Sequence, residues 1–148
     1  MTFERKVEVD WAGSVMEGKG TAKAGSGAFN LPVTFPSRIG EPAGKTSPEE
    51  LLAASHAACY AMALNATLGR SNAKAATTHV TATVSADKTD AGIKVVSSAL
   101  EVVVTGLEGT DADGLAELAK KAEGGCPISN AIRGNVQVTV KTSIAQKA

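Results

Sequence analysis

Aromatic side chains make up only 3 % of this 148-residue sequence, and its 15 basic residues are cancelled by 15 acidic ones. A nucleic-acid binder needs a basic face and usually stacking aromatics, so no nucleic-acid partner is expected. Cysteine is scarce as well, with Cys59 and Cys126 the only two. The N-terminal M-T-F-E-R-K-V-E-V-D alternates charged with apolar residues and lacks the apolar core of a signal peptide. No run is expected to cross a bilayer, so the chain is placed in a reducing cytoplasm without membrane insertion. There, two cysteines are reactive, metal-bound or buried rather than a static disulfide. Together with two dispersed histidines, His56 and His79, they give no zinc-ligand spacing. The glycines of G-K-G (18–20) and G-S-G (25–27) lack the strand, loop and helix context of a phosphate cradle and read as hairpin turns. D-A-D-G at 111–114 has Leu115 and Ala122 where a calcium loop needs ligands. No cofactor and no metal are therefore expected.

What is present is one long apolar helix. A chain of this length fits a single domain, 1–148, able to bury a core without metals or disulfides. Ser47 is placed to cap the helix through the Glu50 amide, with Glu50 reaching back to the Ser47 amide. Pro48 suits the first helical position, and Glu49 and Glu50 face the positive end of the dipole. From Leu51 to Leu68 no residue is charged, and apolar residues run right round, which predicts a central helix over 47–69 buried on nearly every side. Ser55, His56, Asn65 and Thr67, with the capping, argue against a membrane span.

Around that helix the pattern is of strands. Residues 3–11 put Phe3, Val7, Val9 and Trp11 on one face, and short strands follow within 13–24 and 27–33, giving N-terminal strands over 1–35. Residues 36–46 read as a loop carrying Arg38. Strands are expected over 79–105, with His79 pointing outward and a parity change that calls for a bulge near Ser97–Ser98. A helix over 111–123 and a turn at Cys126 leading to a last strand, 126–145, complete the chain. Tight turns between neighbouring strands imply an α+β fold with mostly antiparallel sheet. One chain's sheet covers only one side of an all-round apolar helix, so a second copy is expected to cover the other, in an intimate homodimer.

Cys59 lies mid-helix, far from the positive end, and a buried thiol with no charge nearby stays protonated. The residues alone leave it open whether Cys59 is an inert core cysteine or a reactive one. His56, one turn earlier, fits equally a general base or a satisfied buried histidine. Cys126, after two glycines and before Pro127, sits near a helix start, where thiolate is favoured.

The stretches S-P-E-E-L-L-A-A-S-H-A-A-C-Y-A-M-A-L and G-C-P-I-S-N-A-I-R-G-N-V resemble those of the OsmC/Ohr family of thiol peroxidases, most strongly over 46–64 and 125–138. The resemblance implies a swapped α+β homodimer with sheets wrapped around two long central helices. It also implies reduction of organic hydroperoxides, and of hydrogen peroxide less well in the Ohr branch. By resemblance Cys59 matches the peroxidatic cysteine, Cys126 the resolving one, and Glu49 the family's glutamate. Arg38 matches the arginine that the OsmC branch carries before the helix; the Ohr branch has it near the first hairpin, where this chain offers only Lys19. Tyr60 stands where phenylalanine is common, and Ile128 where tyrosine is usual.

The implied chemistry runs from a Cys59 sulfenic acid to a Cys59–Cys126 disulfide. An external dithiol, a lipoyl protein or a thioredoxin-like one, then reduces it. Arg38, held by Glu49, would stabilise the thiolate and orient the hydroperoxide. Ten helical residues separate Glu49 from Cys59 by about 15 Å and roughly 280°. Arg38 and Glu49 of one subunit are therefore expected to serve Cys59 of the other. Two other classes compete: acyl transfer with Cys59 as nucleophile and His56 as base, and a dimeric protein that holds a small apolar ligand without catalysis.

Overall fold

Trp11, Val9 and Val7 on the first strand pair with Gly20, Ala22 and Ala24 on the second, and Leu31 and Val33 on the third continue the same face. These strands, β1 (Val7–Ala12), β2 (Lys19–Ala24) and β3 (Asn30–Val33), form an antiparallel meander. Small residues on β2 are required: a Cβ at Gly20 would lie 2.7 Å from the Trp11 ring. The computed structural model describes residues 1–146. The chain divides into two units, Met1–Leu51 and Leu52–Ala148.

In the first unit, residues 35–46 are more than a loop. α1 (Phe35–Ile39) forms there, capped by Thr34, whose Oγ1 accepts from the Ser37 amide at 3.3 Å, with Pro36 in its first turn. The start of α2 (Pro48–Arg70) also departs from expectation. Ser47 Oγ accepts from the Glu50 amide at 3.1 Å as expected, but Glu50 Oε1 accepts from Thr46 Oγ1 at 2.8 Å instead of reaching the Ser47 amide.

The second unit is built on a sheet ordered β4 (Thr77–Thr89), β5 (Gly92–Thr105), β6 (Gln137–Ile144). β4 and β5 are antiparallel; β6 runs parallel to β5, a departure from all-tight-turn pairing. α3 (Ala112–Gly125) and α4 (Pro127–Ile132) supply the crossover that a parallel pair requires. The expected bulge is present one residue early. Ser85 pairs with Ser97 and Ala86 with Val95, so Val96 is the extra residue. It returns Ile93 and Val95 to the face that carries Ser98, Leu100, Val102 and Val104.

The core joins Tyr60, Leu64 and Leu68 of α2, Leu100, Val102 and Val104 of β5, and Leu115, Ala119 and Ala122 of α3. Spacings of three and four residues put each helical set on one stripe, and the spacing of two puts the β5 set on one face of the sheet. Truncating the fully buried Leu64 to alanine should cost about 2–5 kcal/mol of unfolding free energy, measured by denaturant titration.

α2 is covered on one side only: Met62, on the opposite face to Leu64, is 70 % exposed. Contrary to expectation, α2 is long and apolar enough, by length and composition, to cross a membrane. Its buried residues, His56, Tyr60, Leu64, Thr67 and Leu68, mark it as the core helix of a folded unit. The architecture is α+β, as the strand and helix order predicts.

Candidate active site

Arg38 and Glu49 meet inside the first unit. α1 carries the guanidinium back to the opening turn of α2, where Glu49 stands. Arg38 Nε donates to Glu49 Oε1 and Oε2 at 3.1 and 3.0 Å, and Nη2 donates to Oε1 at 2.6 Å. This two-pronged pairing fixes the plane of the guanidinium as a lysine could not. The Arg38 hydrogen bonds hold the Glu49 carboxyl below its usual range, and Glu49 in turn raises the Arg38 pKa; burial opposes both. Beside the pair lies an apolar groove of about 290 Å³ walled by Trp11, Val15, Val33, Phe35 and Pro48. Nη1 makes no hydrogen bond among the described residues.

Cys59 and Cys126 meet inside the second unit. Cys126 is fully buried and sits at the joint where α3 ends and α4 begins. Cys59 is partly exposed on α2 and opens on a groove of about 530 Å³ lined by Met62, Ala66, Arg70, Lys121 and Pro127 among others. Burial pushes the Cys59 thiol pKa up, the Ile128 backbone pulls it down, and Cys126 raises it further. The net direction is upward. Arg70 and Lys121 line the same groove, yet neither is among the groups that pull the Cys59 pKa down toward a reactive thiolate.

His56 resolves toward the structural role. Its Nδ1 bonds Ser98 Oγ at 2.7 Å and its Nε2 bonds Ser129 Oγ at 2.8 Å, and all three residues are fully buried. Both ring nitrogens are thereby occupied, which leaves no lone pair to take a proton from Cys59. Burial lowers the His56 pKa from its ordinary 6.5, while the charge of Glu123 raises it. The unfolded chain thus takes up a proton near pH 6.5 that the folded chain still refuses. His56 contributes stability above that pH and loses it progressively as the pH falls. Thermal melts from about pH 7 to about pH 5 should show a shallower fall in Tm for His56→Gln than for the native chain.

The two serines carried no signal as single residues. Ser129 lies inside the G-C-P-I-S-N stretch, and Ser98 is a lone polar residue on the parity of Leu100, Val102 and Val104. Tyr60 is fully buried and its hydroxyl donates to the Ala119 carbonyl at 2.9 Å, so the extra oxygen relative to phenylalanine is satisfied and its pKa is held high by burial. His79 is exposed on β4, as its alternation predicts. No group of three or more potential metal ligands exists among the described residues.

Comparison with known proteins bears on this arrangement. Residues 40–141 match the OsmC-like protein family. The peroxiredoxin OsmC of Escherichia coli (strain K12) is 39 % identical over 139 residues, spanning 92 % of this chain and 94 % of that protein. The organic hydroperoxide resistance protein OhrA of Bacillus subtilis (strain 168) is 41 % identical over 100 residues, or 66 % and 67 % of the two chains. Among solved structures, an organic hydroperoxide resistance protein OsmC of Legionella pneumophila superposes with a TM-score of 0.74 at 29 % identity, covering 93 % of this chain and 96 % of that one. With a family match over most of its length and a relative this similar from end to end, the chain belongs to the OsmC-like protein family.

Proposed function

We propose that this protein is a cysteine-based peroxidase of the OsmC branch that reduces organic hydroperoxides to alcohols, with hydrogen peroxide as a further substrate, in defence against oxidative stress in the cytoplasm. The observation that carries the proposal is that Cys59 on α2 packs against the core cluster that holds Cys126, the residue at the start of α4. The relatives named for peroxiredoxin activity and organic hydroperoxide resistance support the same chemistry.

The Cys59 thiolate attacks one oxygen of the O–O bond, and the alcohol leaves with the other. The sulfur becomes a sulfenic acid. Cys126 then condenses with it, expelling water and forming the Cys59–Cys126 disulfide. An external dithiol, lipoyl or thioredoxin-like, returns both sulfurs to thiols. Cys126 is fully buried and Cys59 only partly exposed, which favours attack of the reductant at Cys59.

The thiolate requires a cation, and the upward pKa of Cys59 in its own unit supports one supplied by a second copy of the chain. In the swapped homodimer that we propose, Arg38 and Glu49 of one protomer complete the site around Cys59 of its partner. Val7, Val9 and Trp11 on β1 and Met62 on α2 are exposed in a single chain and supply apolar surface for such an assembly.

The direct test is a free-thiol count on reduced protein after stoichiometric cumene hydroperoxide. Loss of both thiols with formation of an intramolecular disulfide is expected. Survival of both would discard the peroxidase and favour a ligand-holding role for the apolar grooves.

A further inference from the structure

His56 and Ser129 bridge the two cysteine-bearing segments. His56 stands one turn before Cys59 on α2, and Ser129 one turn after Cys126 on α4. The 2.8 Å bond between them therefore ties the two backbones together close to both thiols. At its other edge the ring is anchored to Ser98 in β5, at 2.7 Å. A neutral imidazole has one N–H and one lone pair, and a hydroxyl can serve either, so both nitrogens are satisfied in one ring orientation. Turning away from either serine would leave a buried polar atom unpartnered.

α4 needs such a tether. At six residues it is too short to be stable on hydrogen bonds of its own. Its far end is braced on the exposed side, where Arg133 pairs with Glu123 and Asn130. Near Cys126 the Ser129 hydroxyl bonds His56, beside Ile128 packed on the core and Asn130 Nδ2 donating to the Gly124 carbonyl at 3.3 Å.

We propose that His56 is a positioning residue for disulfide closure: through Ser129 it sets where α4 presents Cys126 to Cys59. This rests on the peroxidase chemistry above. In closure the Cys126 sulfur displaces the hydroxyl of the Cys59 sulfenic acid. The S–S bond forms, the S–O bond breaks, and the Cys126 proton leaves with the hydroxyl as water. Such a displacement tolerates little misalignment, since about 1 Å can cost roughly 100-fold in rate. The preceding oxidation of Cys59 does not use Cys126, and so does not use the bridge.

The test compares Ser129→Ala with Ser98→Ala. Each leaves one buried imidazole nitrogen without its partner, and their losses in Tm should be similar, but only Ser129 is on the cysteine-bearing helix. Stopped-flow mixing with cumene hydroperoxide should show sulfenic acid formation within about twofold of the native rate in both variants. Closure should slow at least about tenfold in Ser129→Ala and less than about threefold in Ser98→Ala, with Ser129→Thr restoring it. Equal slowing in both variants, or none in Ser129→Ala, would reduce the network to ordinary core stability and overturn the proposal. Closure driven by diamide without hydroperoxide repeats the comparison independently. If hydroperoxide leaves the native thiols untouched, the peroxidase assignment fails while the diamide rates still decide the role of His56.

Discussion

Cys59→Ser is expected to lower hydroperoxide turnover to the uncatalysed background, a loss on the order of 10⁴-fold or more, with the fold intact. The serine hydroxyl is nearly isosteric but is not ionised at neutral pH and does not form a sulfenic acid or a disulfide. Because Cys59 is only partly buried and serine is close to it in size, the Tm should change little, which separates lost chemistry from lost structure. Cys126→Ser makes a contrasting forecast. Its first oxidation should proceed, the sulfenic acid should persist and react with dimedone, and excess hydroperoxide should drive it on to the irreversible sulfinic acid. Mass spectrometry reads these states directly as added oxygens or a dimedone adduct on the peptide containing Cys59. If Cys59→Ser were consumed at the same rate while Cys126→Ser were inert, the two roles would be exchanged.

Mixing two inactive variants should restore activity. A nearby cation multiplies the thiolate population of a cysteine by roughly 10- to 1000-fold, so Arg38→Met should lose activity by a similar factor. Glu49→Gln should lose less, because the guanidinium keeps its charge but not its fixed plane. If Arg38 of one protomer serves Cys59 of the other, an Arg38→Met chain paired with a Cys59→Ser chain has one complete site. After subunit exchange at equal amounts, about half the dimers are mixed and each has one working site of two, so about a quarter of native activity should return. Were Arg38 to serve Cys59 of its own chain, the mixture would remain as inactive as its parts. The pH dependence of Cys59 alkylation supplies a second readout: Arg38→Met should shift it upward, the direction that burial and Cys126 already impose.

Much of the candidate site was legible because its signals are local. The capping serine, Pro48 and the two glutamates announce the start of α2, and the cysteine stretches carry the family likeness within short windows. Other features depend on distant pairings. The sequence does not separate base from buried residue at His56, because its partners lie 42 and 73 residues further along the chain and no periodicity in α2 reports them. α1 is not legible as a helix although Thr34, Pro36 and Ser37 carry a capping pattern, because five helical residues are too few to show an apolar stripe.

Hydrophobic periodicity, turn residues and capping chemistry were sufficient to establish an α+β chain with one dominant apolar helix, since each depends on neighbours within a few positions. They also placed Arg38 and Glu49 ahead of Cys59 in that order along the chain. The folded chain alone decided that β6 joins β5 in parallel, that the expected bulge falls at Val96, and that His56 closes between Ser98 and Ser129. It likewise decided that Cys126, far along the sequence, comes to rest beside Cys59. Those are long-range contacts, selected by burial and by the need to satisfy every buried polar group at once, and no short window of sequence contains both partners.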